Sequence, residues 1–186
     1  MRRTVAQAAL VLLLAFATSP APVASQAPAV APYLVLDTAK TSTMQTELQA
    51  AADKGYRLVA GQGSWLLSAI LEKAPSEVEP IEYVLLATAK SGTMQKEMAA
   101  SSAQGYRFAS VLGIGSEVTI VMERRKGTTA PTHEYALLAT TKIGTMMKEI
   151  GAETAKGFRF VGQTVFAKPQ MLGGNEYVAI MQRPLQ

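Results

Sequence analysis

The chain has 186 residues, 48% of them apolar and 17% charged, with 14 Gly, 9 Pro and no Cys, the make-up of an ordinary folding sequence that can build a packed core. The lack of Cys excludes thiol nucleophiles, disulfides, iron–sulfur clusters, Cys-ligated zinc and c-type haem, and a single His removes most imidazole chemistry. The formal charge is +4; setting aside Arg2 and Arg3 of an expected leader reduces 18 basic side chains to 16 against 14 acidic ones, a net +2, which argues against a nucleic-acid partner.

Residues 1–25 read as a signal peptide. Arg2 and Arg3 form a positive start, Ala8 to Ala17 an apolar stretch, and Val23-Ala24-Ser25 a small-residue cleavage site. The apolar stretch breaks at Thr18-Ser19-Pro20, short of the roughly 20 residues that span a bilayer. No later run is long enough either, so no transmembrane segment is expected. Thr4-Val5-Ala6-Gln7 after the paired arginines fits general secretion better than twin-arginine export. A Pro/Ala-rich linker covers 26–32, and the product is expected in the periplasm or outside the cell.

Self-similarity is the strongest signal. Tyr33-Leu-Val-Leu-Asp-Thr-Ala-Lys40, Tyr83-Val-Leu-Leu-Ala-Thr-Ala-Lys90 and Tyr135-Ala-Leu-Leu-Ala-Thr-Thr-Lys142 align without gaps, at spacings of 50 and 52 residues. Each is followed by Thr-Met, then a Glu, then Gly55-Tyr56-Arg57, Gly105-Tyr106-Arg107 or Gly157-Phe158-Arg159. Polar, proline-bearing stretches at Ala74–Pro80 and Lys126–Thr132 separate the copies. Repeats are therefore expected at 33–74, 81–125 and 134–186. The only histidine, His133, falls where the second linker ends and has no counterpart in the other copies, which argues against a general base.

Within a copy, a β-rich run closes on Thr-Ala-Lys, and Thr43, Thr93 or Thr145 is expected to cap a helix through its hydroxyl. Apolar stripes follow at Met44, Leu48 and Ala51, at Met94 and Met98, and at Met146 and Ile150. Gly55, Gly105 and Gly157 stand where a left-handed C-terminal cap favours glycine. Alternating strands begin at Tyr56 and Phe158, and final strands run over Leu67 to Lys73, Val118 to Arg124 and Tyr177 to Arg183. The expected fold class is α+β: three tandem β-α-β-β repeats, each a helix on a three-stranded sheet, packed into one array. The first strand is expected at an edge of its sheet. It is apolar on both faces and needs cover, and a unit of about 45 residues is near the lower limit for folding alone.

The stretch Glu47-Leu48-Gln49-Ala50-Ala51-Ala52-Asp53-Lys54-Gly55-Tyr56-Arg57-Leu58-Val59 and the basic residue closing each final strand resemble the small bacterial domain of unknown function 4177. The likeness spans each copy and implies a β-α-β-β domain with no known activity. This chain differs in its triplication and in having Tyr or Phe where that family often has Trp.

Two sets of residues are candidates for function. Lys40 with Thr43, Lys90 with Thr93 and Lys142 with Thr145 place a lysine, a small-residue turn and a hydroxyl at a helix start, a pattern suited to a small anion or lipid headgroup. It is not a Walker loop, since Gly-Lys-[Ser/Thr] is missing. Trp65, and Phe166, Met171 and Leu172 in an expected long loop from Gln163 to Asn175, are candidate partner contacts. Lys40, Lys90 and Lys142, Glu47, Glu97 and Glu149, and Arg57, Arg107 and Arg159 recur as surface ion-pairing groups. No catalytic residue, metal ligand or cofactor is expected. The leading expectation is an exported non-enzymatic binding or structural module with a protein partner in the envelope. An anion binder is the alternative, and an envelope hydrolase, with only Asp37 and Asp53 as aspartates, is the weaker one.

Overall fold

A computed structural model describes residues 31–63, 66–114, 117–170 and 173–185. The expected leader, Trp65, Met171 and Leu172 lie outside the described residues. The described chain is a mixed α+β structure in which strand–helix–strand–strand occurs three times in succession. The first module comprises β1 (Tyr33–Thr38), α1 (Thr41–Asp53), β2 (Tyr56–Gln62) and β3 (Leu67–Lys73). The second comprises β4 (Ile81–Thr88), α2 (Ser91–Ala103), β5 (Arg107–Ile114) and β6 (Val118–Arg125). The third comprises β7 (His133–Thr140), α3 (Ile143–Ala155), β8 (Arg159–Pro169) and β9 (Asn175–Pro184). Each module forms a three-stranded antiparallel sheet, in the orders β1-β3-β2, β4-β6-β5 and β7-β9-β8. The first strand is thus an edge and the last is central.

Helix starts differ from expectation. Lys40, Lys90 and Lys142 occupy the N-cap position with extended backbone and no side-chain cap. Their carbonyls already accept from the Met44, Met94 and Met146 amides at 3.0 Å, so the helices begin at Thr41, Ser91 and Ile143, two residues before Thr43, Thr93 and Thr145. Those threonines are third residues of their helices, not caps. The hydroxyls at work are Thr38, Thr88 and Thr140, which accept from the lysine amides at 3.2–3.3 Å. Helix ends follow expectation. Gly55, Gly105 and Gly157 have φ of 80°, 88° and 92°, and in the last two modules Tyr106 and Phe158 donate to Ser101 and Glu153 carbonyls at 3.1 Å, closing Schellman turns.

The recurrent aromatic and the closing basic residue explain each other. Lys73, Arg124 and Arg183 stand over the rings of Tyr56, Tyr106 and Phe158 at 5.1, 4.4 and 4.9 Å. The same cations bond the carbonyls that end the helices: Lys73 to Lys54, Arg124 to Gln104 at 2.8 Å and Arg183 to Lys156 at 3.1 Å. A cation at a helix C-terminus is favourable, so this motif locks helix, second strand and third strand together.

The core does not stop at module boundaries. One cluster joins Met44 and Leu48 of α1 and Leu71 of β3 to Ile81 and Tyr83 of β4, Leu112 of β5 and Val121 of β6. A second joins Met94 and Met98 of α2 and Ile120 and Met122 of β6 to Tyr135 of β7 and Ile180 of β9. α1 therefore lies between the first and second sheets, and α2 between the second and third. Strand patterning records this. In β3, Ala69 and Leu71 are buried while Ile70 is exposed, whereas Val118 to Met122 and Val178 to Met181 are buried without a break because their sheets are covered on both faces. The second-strand alternation is interrupted after Leu58, Phe108 and Phe160 by register shifts, so Ala60 follows Val59 onto the exposed side instead of returning to the core. Gly61 admits the neighbouring sheet: a Cβ there would sit 2.9 Å from the Val111 carbonyl oxygen.

Two further expectations are corrected. His133 is not a linker residue: it pairs with Pro184 in β7, and its carbonyl accepts from Ser102 of α2. The segment expected as a long loop is mostly strand, because β8 runs to Pro169 and pairs from Val165↔Ala179 to Pro169↔Asn175. Period-two placement of Thr164, Phe166 and Lys168 on the inward face favours pairing over a loop.

Candidate functional site

The seams between modules bring together residues distant in sequence. At the first seam, α1 presents two amide side chains to the edge of β4. Gln45 donates to the Tyr83 carbonyl at 2.8 Å and accepts from the Leu85 amide at 2.7 Å, and Gln49 accepts from the Tyr83 amide at 3.1 Å. At the second seam, Gln95 donates to the Tyr135 carbonyl at 2.9 Å and accepts from the Leu137 amide at 2.5 Å. These bonds satisfy backbone groups that an edge strand leaves open. The phenols reach back: Tyr83 accepts from the Leu58 amide at 2.9 Å and Tyr135 from the Phe108 amide at 2.7 Å.

Burial raises the phenol pKa of both Tyr83 and Tyr135, with the amide bonds opposing it. A phenol whose folded pKa lies above its unfolded value of about 10 stabilises the fold fully below that value and loses this contribution as pH rises through the folded one. Tyr83→Phe leaves the Leu58 amide without its acceptor, so a loss of roughly 1–3 kcal/mol near neutrality is expected. Urea unfolding at rising pH checks both points: the variant should show a shallower alkaline decline than the parent.

The first seam also holds a polar cleft of about 470 Å³, lined by Arg57, Arg107, Arg125, Glu79, Glu123 and Glu77 among others. Arg107 bonds Glu123 through two nitrogens at 3.1 and 2.7 Å, and Arg125 pairs with Glu79 at 3.2 Å. Arg57 reaches the Glu79 carbonyl, but its Nη1 is buried with no hydrogen-bond partner among the described residues. The charges that line the cleft are thus largely matched within the chain. Arg159, the third of the series, instead donates to the Thr154 and Phe158 carbonyls of its own module. The recurrence of the arginine was legible in sequence. The contribution of linker residues Glu77 and Glu79 was not, because linker composition carries no mark of what it folds against.

The expected anion positions stay apart, one per module, with Lys40, Lys90 and Lys142 exposed. At α2 the start is engaged from within the chain. Glu176 of β9 accepts from the Ser91 hydroxyl at 3.0 Å, Lys168 of β8 bonds the Ala89 carbonyl, and Lys168 and Glu176 stand 3.7 Å apart. The third-module hairpin thus clasps the start of α2 and places a carboxylate where an anion was expected. Phe166 is half-buried against the second core cluster. Among the described residues no group of three His, Asp or Glu is placed to hold a metal, and no helix is long and apolar enough to cross a membrane. Compared with protein-family models, curated proteins and solved structures, the chain gives no match.

Proposed function

We propose that this chain is an exported, non-enzymatic protein built from three tandem β-α-β-β repeats of the domain 4177 type, packed into one array, and that it acts as a binding or structural module in the periplasm or outside the cell. The observation that carries this reading is the pair of shared cores, each made by the helix of one module and the sheet of the next. Neighbour-to-neighbour burial is how repeat arrays are stabilised and how they present extended surfaces. A protein partner in the envelope is the class of ligand such a surface suits.

The test uses the full chain immobilised in an envelope extract, beside a broad hydrolase panel. Recovery of one stoichiometric partner is the expected result. Turnover of any panel substrate, lost on altering Arg57 or Glu123 in the cleft, would replace this reading with an enzymatic one.

The anion-binding alternative makes a separate demand. If Lys90 and the α2 start held phosphate, Lys90→Ala would shrink the melting shift that phosphate produces. With Glu176 already at Ser91, we expect equal shifts in parent and variant, read by thermal melts in phosphate and chloride at matched ionic strength.

A further inference from the structure

We infer that copies of this chain associate head to tail, the outer face of the first sheet docking on the outer face of α3 and β8 of a second copy. This rests on reading the modules as an array, because both ends carry the unmatched halves of its internal seam.

The head repeats the sheet face that receives a helix elsewhere. At the first seam that face carries the cross-strand row Tyr83–Glu123–Arg107, and at the second Tyr135–Gln182–Arg159. The first sheet carries Tyr33–Glu72–Arg57 in the same register. Beside it runs Val35–Ile70–Ala60, matching Leu85–Val121–Ser110. Burial separates them: Tyr83 and Tyr135 are 3% and 6% exposed, but Tyr33 is 55% and Val35 65%. A tyrosine and an aliphatic row that are covered twice stand bare the third time.

The tail repeats the other half. Thr41, Gln45 and Leu58 at the first seam, and Ser91, Gln95 and Phe108 at the second, are half-buried. Their counterparts at the same offsets, Ile143, Met147 and Phe160, are exposed, Met147 at 68%. Two of the three have turned from polar to apolar, the change expected where a surface meets a partner through burial rather than through fixed hydrogen bonds. Docking the head there would bring the Tyr33 hydroxyl to the Phe160 amide, as Tyr83 meets Leu58 and Tyr135 meets Phe108. Met147 cannot supply the paired bonds that Gln45 and Gln95 give to an edge strand, so this contact is weaker than the internal seams and reversible. Different surfaces meet, so the contact is heterologous and builds chains or rings rather than a closed twofold dimer.

Sedimentation velocity of the full chain over a concentration series tests this. The weight-average mass should rise at least twofold with concentration, and Val35→Asp at the head or Met147→Asp at the tail should each hold the protein monomeric with an unchanged thermal melt. Mixing the two variants leaves one intact head and one intact tail, so a one-to-one pair should form and grow no further. A monomer at every concentration overturns the inference, whether the head is bare or covered by residues 1–30 of its own chain. So does loss of assembly in Val35→Asp alone, which marks a symmetric head contact, or failure of the mixture to pair. Because only self-association is read, the outcome is independent of the pull-down and hydrolase panel above.

Discussion

Leu48→Ala should weaken the first two modules together. Leu48 is fully buried in α1 and belongs to the same core as Tyr83 and Val121 of the next module. Truncating a buried leucine costs roughly 2–5 kcal/mol, the larger values where the surroundings cannot collapse into the space. Here the cavity would be walled by two sheets, each held by its own strand pairing, so collapse is restricted and the upper half of that range is expected. At about 2–4 °C per kcal/mol for a chain of this size the melting point should fall by roughly 10 °C. The diagnostic feature is where protection is lost. Hydrogen exchange should accelerate in β4 and β6 as well as in α1 and β3. Acceleration confined to the first module would mean that the modules fold separately.

Gln95→Leu should loosen the third module without opening a cavity. Leucine is of similar volume, but it removes both bonds from Gln95 to β7, leaving the Tyr135 carbonyl and Leu137 amide without partners. Each stranded backbone group costs about 1–3 kcal/mol, so a total of roughly 2–6 kcal/mol is expected for the two. The exposed edge also gains a means of pairing with other chains. Limited proteolysis should show faster cleavage in the 126–132 connection and light scattering should show aggregation on warming, neither of which a surface substitution such as Lys96→Ala should produce. Unchanged cleavage would show that apolar burial alone holds the second seam, with the glutamine a bystander.

The polar contacts across the seams are less uniform than the repeated sequence suggests, and each difference has a local cause. Gln49 adds an amide at the first seam where the second has Ala99, and there Ser102 reaches the His133 carbonyl instead. The Glu82–Arg124 and Glu134–Arg183 pairs, at 2.7 and 2.6 Å, recur inside the second and third modules between first and last strands. In the first module Pro32 stands at the glutamate's position, opposite Lys73, and beside it the Tyr33 hydroxyl donates to Glu72 at 3.1 Å, a contact that raises the phenol pKa. The second seam is strengthened by Lys168 and Glu176 on the extended third hairpin.

Helix ends at Gly55, Gly105 and Gly157, the final strands and the edge position of the first strand are legible from the residues alone, because they follow from φ preference, hydrophobic period and connection length, all of which act within a few residues. The sequence also signalled, through first strands that are apolar on both faces, that those edges need cover, which Tyr83 and Tyr135 find and Tyr33 does not. Tertiary structure alone decided where the helices begin, since a threonine three residues in competes for the cap with a backbone that is already helical. It alone decided that Gln45 and Gln95 bond a neighbour's edge strand, and that Arg57 and Arg107 line one cleft. Such contacts depend on how one module's helix meets the next module's sheet, a relation between residues some 40 apart that no local pattern encodes. The same physics separates the covered Tyr83 and Tyr135 from the bare Tyr33: one residue type in one register, distinguished only by whether a helix precedes it in the stack.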